Sequence, residues 1–128
     1  MTTILIIEDN RRNMLLIRDL LQMHGLRTLE AVDGEEGIAR AKAERPDLIL
    51  MDLQLPGMDG LTATRLLRQD PVTAEIPVVA LTAHAMMGDR ERALEAGCNG
   101  YIPKPIDTRH FLAQVQAFLP GAAKPGRG

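Results

Sequence analysis

The sequence predicts a doubly wound α/β domain, in which a parallel sheet carries helices on both faces. Three observations carry that prediction. Short β-branched apolar runs alternate five times with amphipathic stretches, the pattern of repeated βα units. The strongest runs are apolar at every position, as strands covered on both faces must be. Gly or Pro stands at several of the boundaries between them.

The elements follow in order. Residues 3–8 (Thr-Ile-Leu-Ile-Ile-Glu) form the first strand. Residues 11–24 place Met14, Ile17, Leu20 and Leu21 on one helical face, and Gly25 ends that helix. A short second strand spans 27–31, and a second, weakly amphipathic helix spans 34–44 and is closed by Pro46. The third strand, 47–52, ends in Asp52, and a helix over 60–69 follows. Residues 77–82 form a fourth buried strand, 89–96 a fourth helix ended by Gly97, and 100–103 a short fifth strand. Asp107 or Thr108 is expected to cap a last helix with Phe111, Leu112, Val115, Phe118 and Leu119 along one stripe. Residues 1–120 are expected to form one domain, and 121–128, rich in Gly, Pro and Ala, a disordered tail.

Composition narrows the function classes. With 128 residues the chain can bury a core without staples. A net charge of −2, and only Tyr101, Phe111 and Phe118 as aromatics, leave no basic, aromatic-lined surface for nucleic acid. Cys98 is the single cysteine, so no intramolecular disulfide can form, and it reads as a packed small residue. No apolar run approaches the ~20 residues of a membrane span, and no signal segment precedes the first strand. A cytoplasmic location is the expectation.

In a parallel sheet of this kind the functional crevice lies beyond the carboxyl ends of the strands. Those ends carry Glu8 and Asp9, then Asp52, then Thr82, with Lys104 just after the fifth strand. A lone strand-end Asp commonly caps the next helix, but three acids converging beside a lysine need another explanation. Clustered carboxylates raise one another's pKa above the unperturbed ~4, and a divalent cation relieves that conflict. All-oxygen ligands favour Mg²⁺ or Mn²⁺; His24, His84 and His110 lack the spacing of a zinc site. A cation and a lysine beside a carboxylate suit phosphoryl handling, with Asp52 able to act as the nucleophile.

Four motifs stand at the strand ends: Ile-Ile-Glu-Asp-Asn at 6–10, Leu-Met-Asp-Leu-Gln-Leu-Pro-Gly-Met-Asp-Gly at 50–60, Val-Ala-Leu-Thr-Ala at 79–83, and Tyr-Ile-Pro-Lys-Pro-Ile at 101–106. In that order and spacing they resemble the receiver domains of two-component response regulators, over residues 3–119. The resemblance implies a flavodoxin-like (βα)5 fold with strand order 2-1-3-4-5. It implies Asp52 as phosphoacceptor, and Mg²⁺ held by Asp9, Asp52 and the Gln54 backbone carbonyl, with Glu8 acting through water. Lys104 would pair with the acceptor and then with the phosphoryl group, and Lys104–Pro105 would be a cis peptide. Thr82 and Tyr101 would be the switch pair.

Gln54 and His84 flank the site at positions that tune phosphoryl lifetime. Met86 and Met87 suit an adaptable surface, and Arg11, Arg12 and Asn13 a kinase or phosphotransferase contact. Each of these also fits a plain packing or solvent-facing role. The partners implied are a histidine kinase or histidine phosphotransfer protein, and a downstream protein met by the fourth helix, fifth strand and fifth helix. The protein would be a monomer or weak dimer and no enzyme beyond phosphorylating and dephosphorylating itself. Met1 directly before the first strand and the short tail favour a stand-alone regulator over a receiver from a hybrid kinase.

Other readings fit less well. A degenerate receiver, acting without phosphorylation, would be expected to lack one of the acids or the lysine. A haloacid-dehalogenase-type phosphatase needs an Asp where Gln54 stands. A flavin binder of the same fold would meet phosphate repulsion from Glu8 and Asp9.

Overall fold

The computed structural model describes residues 2–83 and 88–119. Among these residues ten elements alternate: β1 (Thr3–Ile7), α1 (Arg11–Gln22), β2 (Arg27–Ala31), α2 (Gly34–Glu44), β3 (Leu48–Asp52), α3 (Gly60–Gln69), β4 (Val78–Thr82), α4 (Asp89–Ala96), β5 (Gly100–Pro103) and α5 (Phe111–Gln116). The strands form one sheet in the order β2-β1-β3-β4-β5, all pairs parallel. This is the doubly wound, flavodoxin-like (βα)5 architecture that the sequence predicts.

Strand position explains strand composition. β1, β3 and β4 are interior and buried at every residue, so their runs are apolar except at the ends, where Thr3, Asp52 and Thr82 stand. The edge strands β2 and β5 are only partly buried and carry Arg27, Thr28, Glu30 and Pro103. Ile4, Ile6, Leu48, Leu50, Val79 and Leu81 meet Met14, Ile17 and Leu21 of α1 and Phe111 and Val115 of α5 on one face. Leu5, Ile7, Ile49, Met51, Val78 and Ala80 meet Ala41 of α2, Ala63 and Leu67 of α3 and Ala93 of α4 on the other.

Several boundaries differ from the sequence expectation. Asp47 lies outside β3, because its Oδ2 accepts the Thr3 amide at 2.8 Å and stitches the starts of β1 and β3. α1 ends at Gln22 rather than at His24, ahead of a turn through Gly25 at φ +78°. α5 begins at Phe111, later than capping by Asp107 or Thr108 predicts. The Asp107 carboxylate instead accepts from the Arg109 amide at 3.0 Å and meets His110 Nδ1 at 2.8 Å, so it closes a separate turn. Phe118 and Leu119 fall past the helix yet still pack against the α1/α5 face. The tail, 121–128, lies outside the described residues.

Candidate functional site

The order of the sheet reverses between β1 and β3, and the carboxyl ends of these neighbours bring Glu8 and Asp52 together. Glu8 is 1% and Asp52 3% exposed, although both carry a carboxylate. Asp9 is exposed at the rim. It does not cap α1; Asn10 does, its side chain accepting the Asn13 amide at 3.0 Å. Asp9 therefore keeps its carboxylate on the cluster, where one oxygen from each of Glu8, Asp9 and Asp52 lies within 4.8 Å of the others.

Backbone geometry holds the remaining groups at this edge. The Lys104 amide donates to the Thr82 carbonyl at 2.8 Å, tying the chain after β5 to the end of β4. From there the Lys104 ammonium reaches Glu8 Oε1 at 2.9 Å and Asp52 Oδ2 at 3.2 Å. At 2.9 Å the Glu8 contact is a charge-assisted pair, the closer of the two. The other Glu8 oxygen accepts the Asn10 amide at 3.0 Å, and Asp52 Oδ1 accepts the Gln54 amide at 3.0 Å. The Lys104–Pro105 peptide bond is cis.

Burial raises the Glu8 pKa, and the nearby Asp52 charge adds to the rise; the Lys104 ammonium and the Asn10 amide offset only part of it. Burial by itself would lower the Lys104 pKa, but the two facing carboxylates more than reverse this and raise it. Three carboxylates facing one ammonium leave two negative charges, which a divalent cation balances. The donors are all oxygen, the set that Mg²⁺ takes.

Among the other predicted residues, Thr82 is buried at the end of β4, and its hydroxyl donates to Asp89 Oδ2 of α4 at 3.1 Å. Tyr101 of β5 is half-buried, with the Arg90 guanidinium 5.8 Å from the ring centroid. The Gln54 side chain is exposed. His84, Met86 and Met87 lie outside the described residues. Sequence reasoning missed Asp89 and Arg90, since nothing in the helix pattern of 89–96 singles out a residue that reaches back to a strand.

It also missed Arg68, read only as one residue of the third helix. Its guanidinium donates to the carbonyls of Gly97 (2.9 Å), Ala74 (3.2 Å) and Ile76 (2.7 Å) and to Asn99 Oδ1 (2.8 Å). Asn99 Oδ1 also accepts the Val78 amide at 2.9 Å, so this network braces the starts of β4 and β5, away from the carboxylate cluster.

A flavodoxin-like sheet with an acidic cluster and a lysine at its carboxyl edge defines a phosphoryl-switch module of two-component signalling. The response regulator receiver domain family matches residues 4–116, and the chain belongs to it. The polar-differentiation response regulator DivK of Brucella anthropi is 44% identical over 117 residues, 91% of this chain and 95% of that one. The receiver domain of a Pseudomonas aeruginosa PAO1 sensor histidine kinase, solved with a magnesium ion coordinated in its active-site cleft, is similar with a TM-score of 0.85. It is 38% identical, and the match covers 91% of this chain and 96% of that one. The Vibrio cholerae chemotaxis protein CheY4 superposes with a TM-score of 0.88 at 25% identity, over 93% of this chain and 99% of that one. Among the described residues no helix is long and apolar enough to cross a membrane.

Proposed function

We propose that this receiver domain accepts a phosphoryl group on Asp52 from a histidine kinase or histidine phosphotransfer protein, and that the modification changes its partner binding. One observation carries the reading. A nearly buried carboxylate at the switch point of the sheet has its orientation fixed by the Gln54 amide and an ammonium at 3.2 Å.

The residues divide the work. An Asp52 oxygen attacks phosphorus, the donor's P–N bond breaks, and an acyl phosphate forms. Lys104, already between Glu8 and Asp52, follows the transferred charge and pairs with a phosphoryl oxygen. Asp9, Asp52 and the Gln54 carbonyl are the groups to hold Mg²⁺ or Mn²⁺, with Glu8 acting through water. When bound, that cation neutralises the carboxylates and the phosphoryl oxygens. Thr82 then donates to the phosphoryl group, and Tyr101 follows the vacated space. Gln54 borders the path of the hydrolytic water.

Residues 1–120 would act as one cytoplasmic receiver unit that modifies only itself. The exposed Arg11 and Arg12, at the start of α1 beside the cluster, are suited to meet the donor. The α4–β5–α5 face is suited to a downstream protein.

Incubation with acetyl phosphate, with and without Mg²⁺, tests the reading by intact mass. One added phosphoryl group that requires Mg²⁺ and is absent from Asp52→Asn is expected. Mg²⁺-dependent labelling that persists in Asp52→Asn overturns the assignment.

A further inference from the structure

The first turn of α4 touches both members of the switch pair. Asp89, its first residue, accepts the Thr82 hydroxyl at 3.1 Å, and Arg90, the next, lies over the Tyr101 ring at 5.8 Å. Asp89 is not a solvent-facing acid: its side chain is only 13% exposed, and its other oxygen pairs with Arg92. The Thr82 carbonyl is meanwhile engaged by the Lys104 amide, so only the Thr82 hydroxyl can change partner without opening the sheet edge. Ala80, two residues before Thr82, is in register with Tyr101, which sets both switch side chains on the α4 side of the sheet.

We propose that Asp89 is a positioning residue that holds the Thr82 hydroxyl in the unphosphorylated arrangement, while Arg90 holds the Tyr101 ring, so that one helical turn latches both. The proposal rests on Asp52 as the acceptor site and adds what opposes the switch. A hydroxyl donates one proton, so Thr82 cannot donate to Asp89 and to a phosphoryl oxygen at once. When Thr82 turns to the phosphoryl group, Asp89 loses that donor. Arg90 is covalently next to Asp89, so the shift of this turn also uncovers Tyr101. The latch sets a threshold: part of the free energy of phosphoryl binding goes into releasing Asp89.

Sequence supplies a clean reporter. Tyr101 is the only tyrosine and there is no tryptophan, so fluorotyrosine labelling places a single ¹⁹F resonance on the switch residue. The labelled full chain is titrated with beryllofluoride in Mg²⁺. Asp89→Ala is expected to bind it about tenfold more tightly than wild type, a shift of about 1.4 kcal/mol. Its ligand-free resonance is expected to move toward the bound position. Asp89→Asn, which loses the charge but keeps an acceptor oxygen, is expected to stay within about threefold of wild type. Glu91→Ala removes a first-turn charge, and Arg92→Ala removes the ion pair, without touching Thr82; neither is expected to tighten binding. Arg90→Ala is expected to move the ligand-free Tyr101 resonance even though the Thr82 contact remains, and it provides a second arm should Asp89→Ala fold poorly.

Equal affinity for wild type and Asp89→Ala, or an equal gain in Asp89→Asn or Glu91→Ala, overturns the latch. Wild-type protein that binds no beryllofluoride in Mg²⁺, or Asp52→Asn that still binds it, overturns the acceptor assignment itself and the latch with it.

Discussion

Lys104 Nζ stands 2.9 Å from Glu8 Oε1, nearer than its 3.2 Å approach to Asp52. The lysine is thus shared between carboxylates at two strand ends, and its ammonium offsets part of their charge.

Glu8 should make metal-free stability depend on pH in an unusual direction. Its native pKa is raised above 4.5, chiefly by burial, so between 4.5 and the native value the folded protein binds more protons than the unfolded chain. Ionised Glu8 therefore costs stability above that window, and the cost disappears as pH falls through the native pKa toward 4.5. Urea unfolding in EDTA at several pH values should show the wild type gaining on Glu8→Gln upon acidification. Parallel curves for the two proteins would refute this.

On the proposed roles, Lys104→Ala should still accept some phosphate yet fail to switch, because Asp52 remains while the ammonium assigned to the new charge is gone. The single-tyrosine resonance should stay near its ligand-free position in the phosphorylated variant. A wild-type-sized shift, or wild-type partner binding, would count against the role of Lys104.

Gly60→Ala should disturb the site from below. A Cβ there would lie 2.4 Å from the Asp52 carbonyl and 2.8 Å from Leu53 Cα, both backbone atoms that cannot swing aside. A loss of about 1–3 kcal/mol is expected from this overpacking, together with weaker Mg²⁺ binding as Asp52 is displaced. Urea unfolding and a Mg²⁺ titration measure both effects, and an unchanged unfolding midpoint would be the contrary result.

Arg68→Lys should cost about 2–4 kcal/mol although the charge is kept. A lysine cannot reproduce the fork that serves Gly97, Ala74, Ile76 and Asn99 together. Phosphorylation by acetyl phosphate should survive at temperatures where the variant is folded. Stability equal to wild type would show that solvent replaces those bonds.

Cys98 should resist thiol reagents in the folded protein. Burial raises its pKa, which the Thr64 hydroxyl at 3.7 Å and the Arg68 charge only partly counter. Labelling at pH 8 is expected to be at least about a hundredfold slower than in urea, limited by opening of the α3–α4 region. Comparable rates in both conditions would contradict the burial.

Local chemistry made the fold and most of the cluster legible. Short, β-branched apolar runs that alternate with amphipathic stretches fit strands covered on both faces, so β1, β3 and β4 point to the parallel sheet and its carboxyl edge. Glu8, Asp9, Asp52, Thr82 and Lys104 stand at or just past strand ends, and the motifs around them match one family along the chain. The tertiary structure decided what periodicity cannot encode. Asp9 leaves helix capping to Asn10 because both are able to cap and only their placement separates them. Asp47 and Asp107 turn to the amides of Thr3 and Arg109, so β3 starts at Leu48 rather than at the expected Asp47 and α5 starts past its expected cap. Asp89, Arg90 and Arg68 look like ordinary helix-surface charges in sequence. Their partners, Thr82 of β4, Tyr101 of β5 and Asn99 just before β5, lie in other segments, and such contacts exist only once the chain has packed.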